Sequence, residues 1–291
     1  MKSILLALIF FLAQSCLISC QTVNGDYSSA AMAWAHKYFR AVRINDQGDV
    51  VQLFTGNPWD VSMLVNFPKL EVLGLQDSGG DLSPISKLHN LKVLDFDGIS
   101  NSKLNFLKSL KNLQELSLIG ADNLNSLTEI GSLKKLVSLY INARKIKSLA
   151  SLKHLHNLKS LELLDCPVSD LSPLGDISSL ESISIYSDNN ITDLTPLGKL
   201  KNLRFLGLPF RGIADISPLI GCPNLEVLRL GADGIKNIMP LAKLKKLVDL
   251  GVEVKKDQEQ DLFKVMTQLH NLRTFYFSYQ VQKDVYKHFG W

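Results

Sequence analysis

The chain has 291 residues, 32 Lys and Arg against 28 Asp and Glu for a formal charge of +4, and an apolar fraction of 46%. It is too apolar for a disordered chain, and its 18 glycines follow no collagen period. A modest positive charge diluted over this length does not point to nucleic acid.

Lys2 precedes an apolar run over residues 4–13, after which come Gln14, Ser15, Cys16 and Leu17-Ile18-Ser19-Cys20. A membrane span needs roughly 20 apolar residues, and this run is about half that. Residues 1–19 therefore read as a signal peptide of an exported chain. Leu17-Ile18-Ser19-Cys20 resembles the bacterial lipobox. That resemblance implies cleavage before Cys20, a diacylglyceryl group on its sulfur and a lipid anchor in a bacterial membrane. A competing reading cleaves at Ala13-Gln14-Ser15 and leaves Cys16 at a free N-terminus; the placement of Leu17 and the short apolar run favour the lipobox.

Residues 20–49 read as a tether followed by an N-terminal cap. Ala31, Trp34 and Tyr38 recur at helical spacing, with Ser28 or Ser29 available as N-cap, so a helix is predicted over 28–39. Two short strands are predicted around Asn45-Asp46-Gln47-Gly48.

From Leu70 the pattern L-x-x-L-x-L returns ten times, its first apolar residues spaced 21, 22, 23, 22, 22, 23, 22, 22 and 25 apart. A second motif follows in five units: Asp81-Leu82-Ser83-Pro84-Ile85, Asp170-Leu171-Ser172-Pro173-Leu174, Asp193-Leu194-Thr195-Pro196-Leu197, Asp215-Ile216-Ser217-Pro218-Leu219 and Asn237-Ile238-Met239-Pro240-Leu241. The unit resembles the leucine-rich repeat of the internalin type. The expected fold is an α/β solenoid over 50–279 of ten or eleven parallel strands, with the sheet on the concave side and short 3₁₀ or extended convex segments. Both ends should be capped, by the helix near the N-terminus and by 280–291 at the other end. Inside the last unit, residues 261–270 read as an amphipathic helix.

The family's Asn after the strand is replaced by Ser78, Ile99, Arg144, Cys166, Arg211 and Asp233, so that hydrogen-bond ladder must be made differently or left to water. Cys166 and Cys222 lie two repeats apart, roughly 10 Å by strand spacing and beyond the ~7 Å of a bridged pair, so both should be buried thiols.

His89, His156 and His270 occupy a turn slot that other repeats fill with Lys or Pro, so they are not metal ligands. No cofactor or nucleic acid is expected, and no nucleophile stands with a base, which disfavours a hydrolase. Outward strand positions read out Asp95, Asp97, Glu115, Glu162, Asp249 and Glu253 with a lone Arg229. They also expose Tyr140, Leu164, Tyr186 and Phe205, apolar residues the core does not need. Lysines 87, 111, 134, 135, 199, 201, 243, 245 and 246 fall in the turns ahead of the strands, an edge suited either to solubility or to an anionic partner.

The resemblance implies a binding protein, and the residues suggest where it binds. A protein partner would be held on the concave face by Tyr140, Glu162, Leu164, Tyr186, Phe205 and Arg229, with Cys20 as membrane anchor. An adhesin is one form of this function. An envelope-internal structural or immunity-type binding protein is the alternative.

Overall fold

The computed structural model describes residues 27–276, apart from 59, 78–79, 100–103, 188–190, 210–211 and 232–233. The signal peptide, Cys16, Cys20, the 280–291 cap and turn residues Ser78, Arg211 and Asp233 lie outside the described residues.

Helix α1 (Ser29–Tyr38) starts where the Ser28 hydroxyl accepts the Ala31 N–H at 3.2 Å. It buries Ala31 and Ala35 completely and lays Trp34 against Phe39 and Phe67, with ring centroids 5.4 and 6.4 Å apart. Strands β1 (Phe39–Ile44) and β2 (Val50–Gly56) form an antiparallel hairpin. At its turn, the Asn45 side chain accepts the N–H groups of Gln47 and Asp49, and Gly48 takes a φ of 86° that a side chain would resist.

The following strands are β3 (Val72–Gln76), β4 (Val93–Asp97), β5 (Glu115–Ile119), β6 (Ser138–Asn142), β7 (Ser160–Leu164) and β8 (Ser182–Tyr186). Then come β9 (Phe205–Leu208), β10 (Val227–Leu230), β11 (Asp249–Gly251) and β12 (Thr274–Tyr276). All twelve join one sheet in chain order, and every pair from β2 onward is parallel. The expected ten or eleven parallel strands are thus eleven, with β1 added antiparallel at the edge.

The return path between strands has its own period. In the β9 coil Leu194, Leu197, Leu200, Leu203 and Leu206 recur every third residue, and none is more than 1% exposed. A 3₁₀ turn repeats every three residues, so it stacks these leucines on one side. The turn bonds follow suit: Leu197 N–H to Leu194 O, Leu200 N–H to Leu197 O and Leu203 N–H to Leu200 O. The Asp-x-Ser/Thr-Pro motif starts this path. Asp81, Asp170, Asp193 and Asp215 each accept the N–H two residues on at 2.8–2.9 Å, and the proline beyond has no N–H to leave unpaired. Adjacent convex segments approach backbone to backbone: a Cβ on Gly198 would sit 2.7 Å from the Pro218 carbonyl oxygen.

A side-chain ladder joins the coils ahead of the strands rather than after them. Asn90, Asn112, Asn157, Asn202, Asn224 and Asn271 each donate to a backbone carbonyl of the preceding coil at 2.8–3.0 Å. Where Lys135 and Lys246 take the Asn place, their ammonium groups donate to the Asn112 and Asn224 side-chain oxygens at 2.7 and 2.6 Å. After the strands there is no such uniformity among the described residues. Ile99 and Cys166 point into the core, while Arg144 lies exposed within 4.0 Å of Asp122 and Asp165.

Cys166 and Cys222 are free and fully buried, and burial pushes both thiols up to about 11, so they act as small core residues. Helix α2 (Glu259–Met266) starts two residues ahead of the predicted position and covers the coil before it with Leu262, Val265 and Met266. The buried Gln258 at its start donates to Ile235 O and accepts the Lys255 N–H.

Candidate functional site

Strand register sorts the outward residues into three rows across the concave face. The first row runs Glu115, Ser138, Ser160, Ser182, Phe205, Val227 and Asp249. The middle row holds Asp95, Ser117, Tyr140, Glu162 and Ser184, continuing through Gly207 to Arg229. In the third row Asn142, Leu164 and Tyr186 stand on neighbouring strands.

The middle row is the most covered, because rows stand on both sides of it. Tyr140 shows the consequence: it is only 8% exposed, which corrects the expectation of an exposed anchor. Alternation along a strand decides which face a residue takes, but not how deep it sits there. Burial, then the Glu162 carboxylate opposite, raises the Tyr140 phenol above its ordinary value. Ser117 and Ser184 are buried in the same row, and Ser138 beside it, giving the face a low serine floor that the sequence reading passed over. The signal was present as small polar residues at outward strand positions.

Leu164 and Tyr186 are direct neighbours across β7 and β8, both half-buried. Phe205, also half-buried, lies over its own strand: a Cβ on Gly207 would meet the ring at 3.1 Å. Arg229 is not the lone charge expected. Its Nε and Nη2 donate to the two Asp249 oxygens at 3.4 and 2.9 Å, and that bond raises the guanidinium further. The register places Asp249 one strand on and two residues back, a diagonal that a linear reading does not show.

The structure therefore brings together Tyr140 with Glu162, Leu164 with Tyr186, and Phe205 with the β10 neighbours of Arg229. It does not gather all six into one contact cluster, since Tyr140 and Arg229 stand four strands apart, roughly 19 Å. The acidic half of the face lies on β4–β7. Burial raises Asp95, Glu115 and Glu162 above the ordinary carboxylate range, and none has a cation within 4.0 Å among the described residues. Oδ1 of Asp95 is buried without a hydrogen-bond partner. Among the described residues no group of three or more His, Cys, Asp or Glu could hold a metal, and the His154 and His156 rings lie 6.3 Å apart. No described helix is long and apolar enough to cross a membrane.

Parallel strands at a repeat of about 22 residues, a period-three return and an asparagine ladder define a leucine-rich repeat solenoid. Residues 75–219 match the family described as a leucine-rich repeat region. Among solved structures, the chain is similar to an internalin of Listeria monocytogenes, InlF, with a TM-score of 0.66 at 23% identity, over 86% of this chain and 82% of that one. Internalin C2 of the same organism gives a TM-score of 0.56 at 26% identity, over 64% of this chain and 87% of that one. A leucine-rich repeat protein of Leptospira interrogans gives 0.56 at 20% identity, over 78% and 65%. No curated protein matches the chain.

Proposed function

We propose that this chain is an exported, lipid-anchored leucine-rich repeat protein that binds a protein partner on the concave face between β6 and β10, as an adhesin does. The observation that carries the reading is the adjacent pair Leu164 and Tyr186 at one margin of the face, with Phe205 at the other margin on the next strand, beside the Arg229–Asp249 pair. The core is complete without these side chains, and half-buried aromatics give contact area at low entropic cost. Glu162 and Arg229 flank these side chains with opposite charge and would set the partner's orientation, while Tyr140 lines the floor one strand away.

A photo-crosslinking residue at Tyr186 should join a partner in intact envelopes, whereas the same residue at convex Lys153 should not. Tyr186→Ala with Phe205→Ala should weaken binding of that partner at least tenfold with little change in the melting curve. Equal crosslinking from both positions would remove the concave face from consideration. The anchor rests on Leu17-Ile18-Ser19-Cys20. Mass spectrometry should find an acylated Cys20 at the mature N-terminus, and Cys20→Ala should release the protein from membranes; an unmodified N-terminus at Cys16 would overturn it. Protease shaving of intact cells separates a surface adhesin from a partner held inside the envelope.

A further inference from the structure

The two edges of the solenoid differ in charge. Turns leading into the strands carry exposed lysines, among them Lys87, Lys111, Lys199 and Lys243. Turns leaving the strands carry Asp81, Asp170, Asp193 and Asp215, held ionised by the N–H and hydroxyl groups two residues on. The ion pairs on the lysine side belong to Lys92, Lys159 and Arg204, immediately before their strands, and Lys108 meets Glu129. Lys87, Lys111, Lys199 and Lys243 have no carboxylate within 4.0 Å among the described residues.

Other lysines on this edge are held by neutral acceptors. Lys134 and Lys201 donate to the Gly131 and Gly221 carbonyls at 2.9 Å, Lys245 to Gln268, and Lys135 and Lys246 to asparagine side chains. Such bonds fix the nitrogen without cancelling its charge, and each ammonium keeps further N–H groups to donate. From the turn before β4 to the turn before β11 the row spans about 34 Å at ~4.8 Å per strand.

We propose that this edge docks on an anionic lipid bilayer, with lysines donating to headgroup phosphates. A row of amines spread over about 34 Å along one edge matches a planar array of phosphates better than a single phosphorylated ligand. The edge opposite mixes Asp81, Asp170, Asp193 and Asp215 with Lys145, Lys147 and Lys236 and attracts anionic lipid less, so one orientation is favoured: the solenoid stands on its lysine edge, with the concave face opening sideways. The proposal is independent of the concave partner and of the lipid anchor.

The test is sedimentation of the full chain with phosphatidylcholine vesicles, with and without about one third phosphatidylglycerol. Reading the ratio of the two affinities cancels any contribution from an apolar leader or acyl chain. The ratio should be at least tenfold and should fall with added salt. Lys87→Gln/Lys111→Gln/Lys199→Gln should lower it at least fivefold. Lys145→Gln/Lys147→Gln/Lys236→Gln, the same change of charge on the opposite edge, should leave it within threefold. Equal loss from both triples, a ratio near one, or tighter retention on duplex DNA than on anionic vesicles would each overturn the proposal.

Discussion

The turns on the two sides of each strand obey different rules, although both connect the same strand to the same convex segment. Ahead of the strand, Asn or a Lys that grips the previous Asn recurs coil after coil, each tied to the coil before it. After the strand the same structural place is taken by Ile99, Arg144 or Cys166, and left-handed Asp77 and Asp165 stand one residue ahead of it. The difference lies in where the backbone needs help. In the leading turn, carbonyls such as Lys134 O and Lys201 O face along the solenoid axis toward the next coil, where only a side-chain amide reaches them. In the trailing turn the main chain bonds directly to the next coil, as from Asp77 N–H to Asp97 O and from Asp165 N–H to Tyr186 O, so the side chain is free to vary.

The largest test of this asymmetry is in the core beneath the leading turn. Leu200→Ala should cost about 2–5 kcal/mol, since Leu200 is fully buried and rigid coils on both sides limit collapse of the cavity. Arg144→Ala, in a trailing turn with an exposed side chain and ion pairs of 3.8 and 4.0 Å, should change stability by less than about 0.5 kcal/mol. Urea unfolding of the two variants reads both. A comparable loss from Arg144→Ala would mean the trailing turn is as constrained as the leading one.

The ladder itself comes next. Asn224 donates to Lys201 O and accepts from Lys246, so Asn224→Ala removes two bonds and should cost about 1–2 kcal/mol. Lys246→Met keeps the aliphatic stem and removes only the second bond, and should cost less. If the two substitutions cost the same, the asparagine amide is not what joins the coils.

Much of this was legible in the sequence, unevenly and for physical reasons. The 22-residue period, the parallel strands and both helices follow from where apolar residues fall, because burial is a strong and local constraint. The ladder was also written in the sequence, at Asn90, Asn112, Asn157, Asn202, Asn224 and Asn271, but its meaning depends on which carbonyl lies one coil back, which periodicity alone does not reveal. The concave face was legible as a face, whereas depth within it was not. Tyr140 and Phe205 read alike in a linear pattern, yet one sits in the covered middle row and the other in an outer row over Gly207. The Arg229–Asp249 pair required the register between β10 and β11.

The smallest expected effect contrasts the trailing-turn carboxylates with those of the bowl as pH falls. Asp81, Asp170, Asp193 and Asp215 are lowered by N–H and hydroxyl donors, so the folded chain holds their ionised form more tightly than the unfolded chain does. Their contribution is complete above the unfolded value, about 3.9, and is lost as pH falls through the lower folded values. Asp95, Glu115 and Glu162 are raised by burial, so their ionised form is disfavoured by folding. That cost is present at neutral pH and is relieved as pH falls through their raised folded values toward about 4. Stability measured by urea midpoint should therefore rise slightly on acidification from neutral pH, then fall below pH ~4. Glu162→Gln should flatten the rise and spare the fall, while Asp193→Asn, which keeps an acceptor for the Thr195 N–H, should soften the fall and spare the rise. A midpoint that declines steadily from pH 7 would show that the bowl's carboxylates are already compensated in solution, and that the charge contrast between bowl and turn does not reach the stability of the fold.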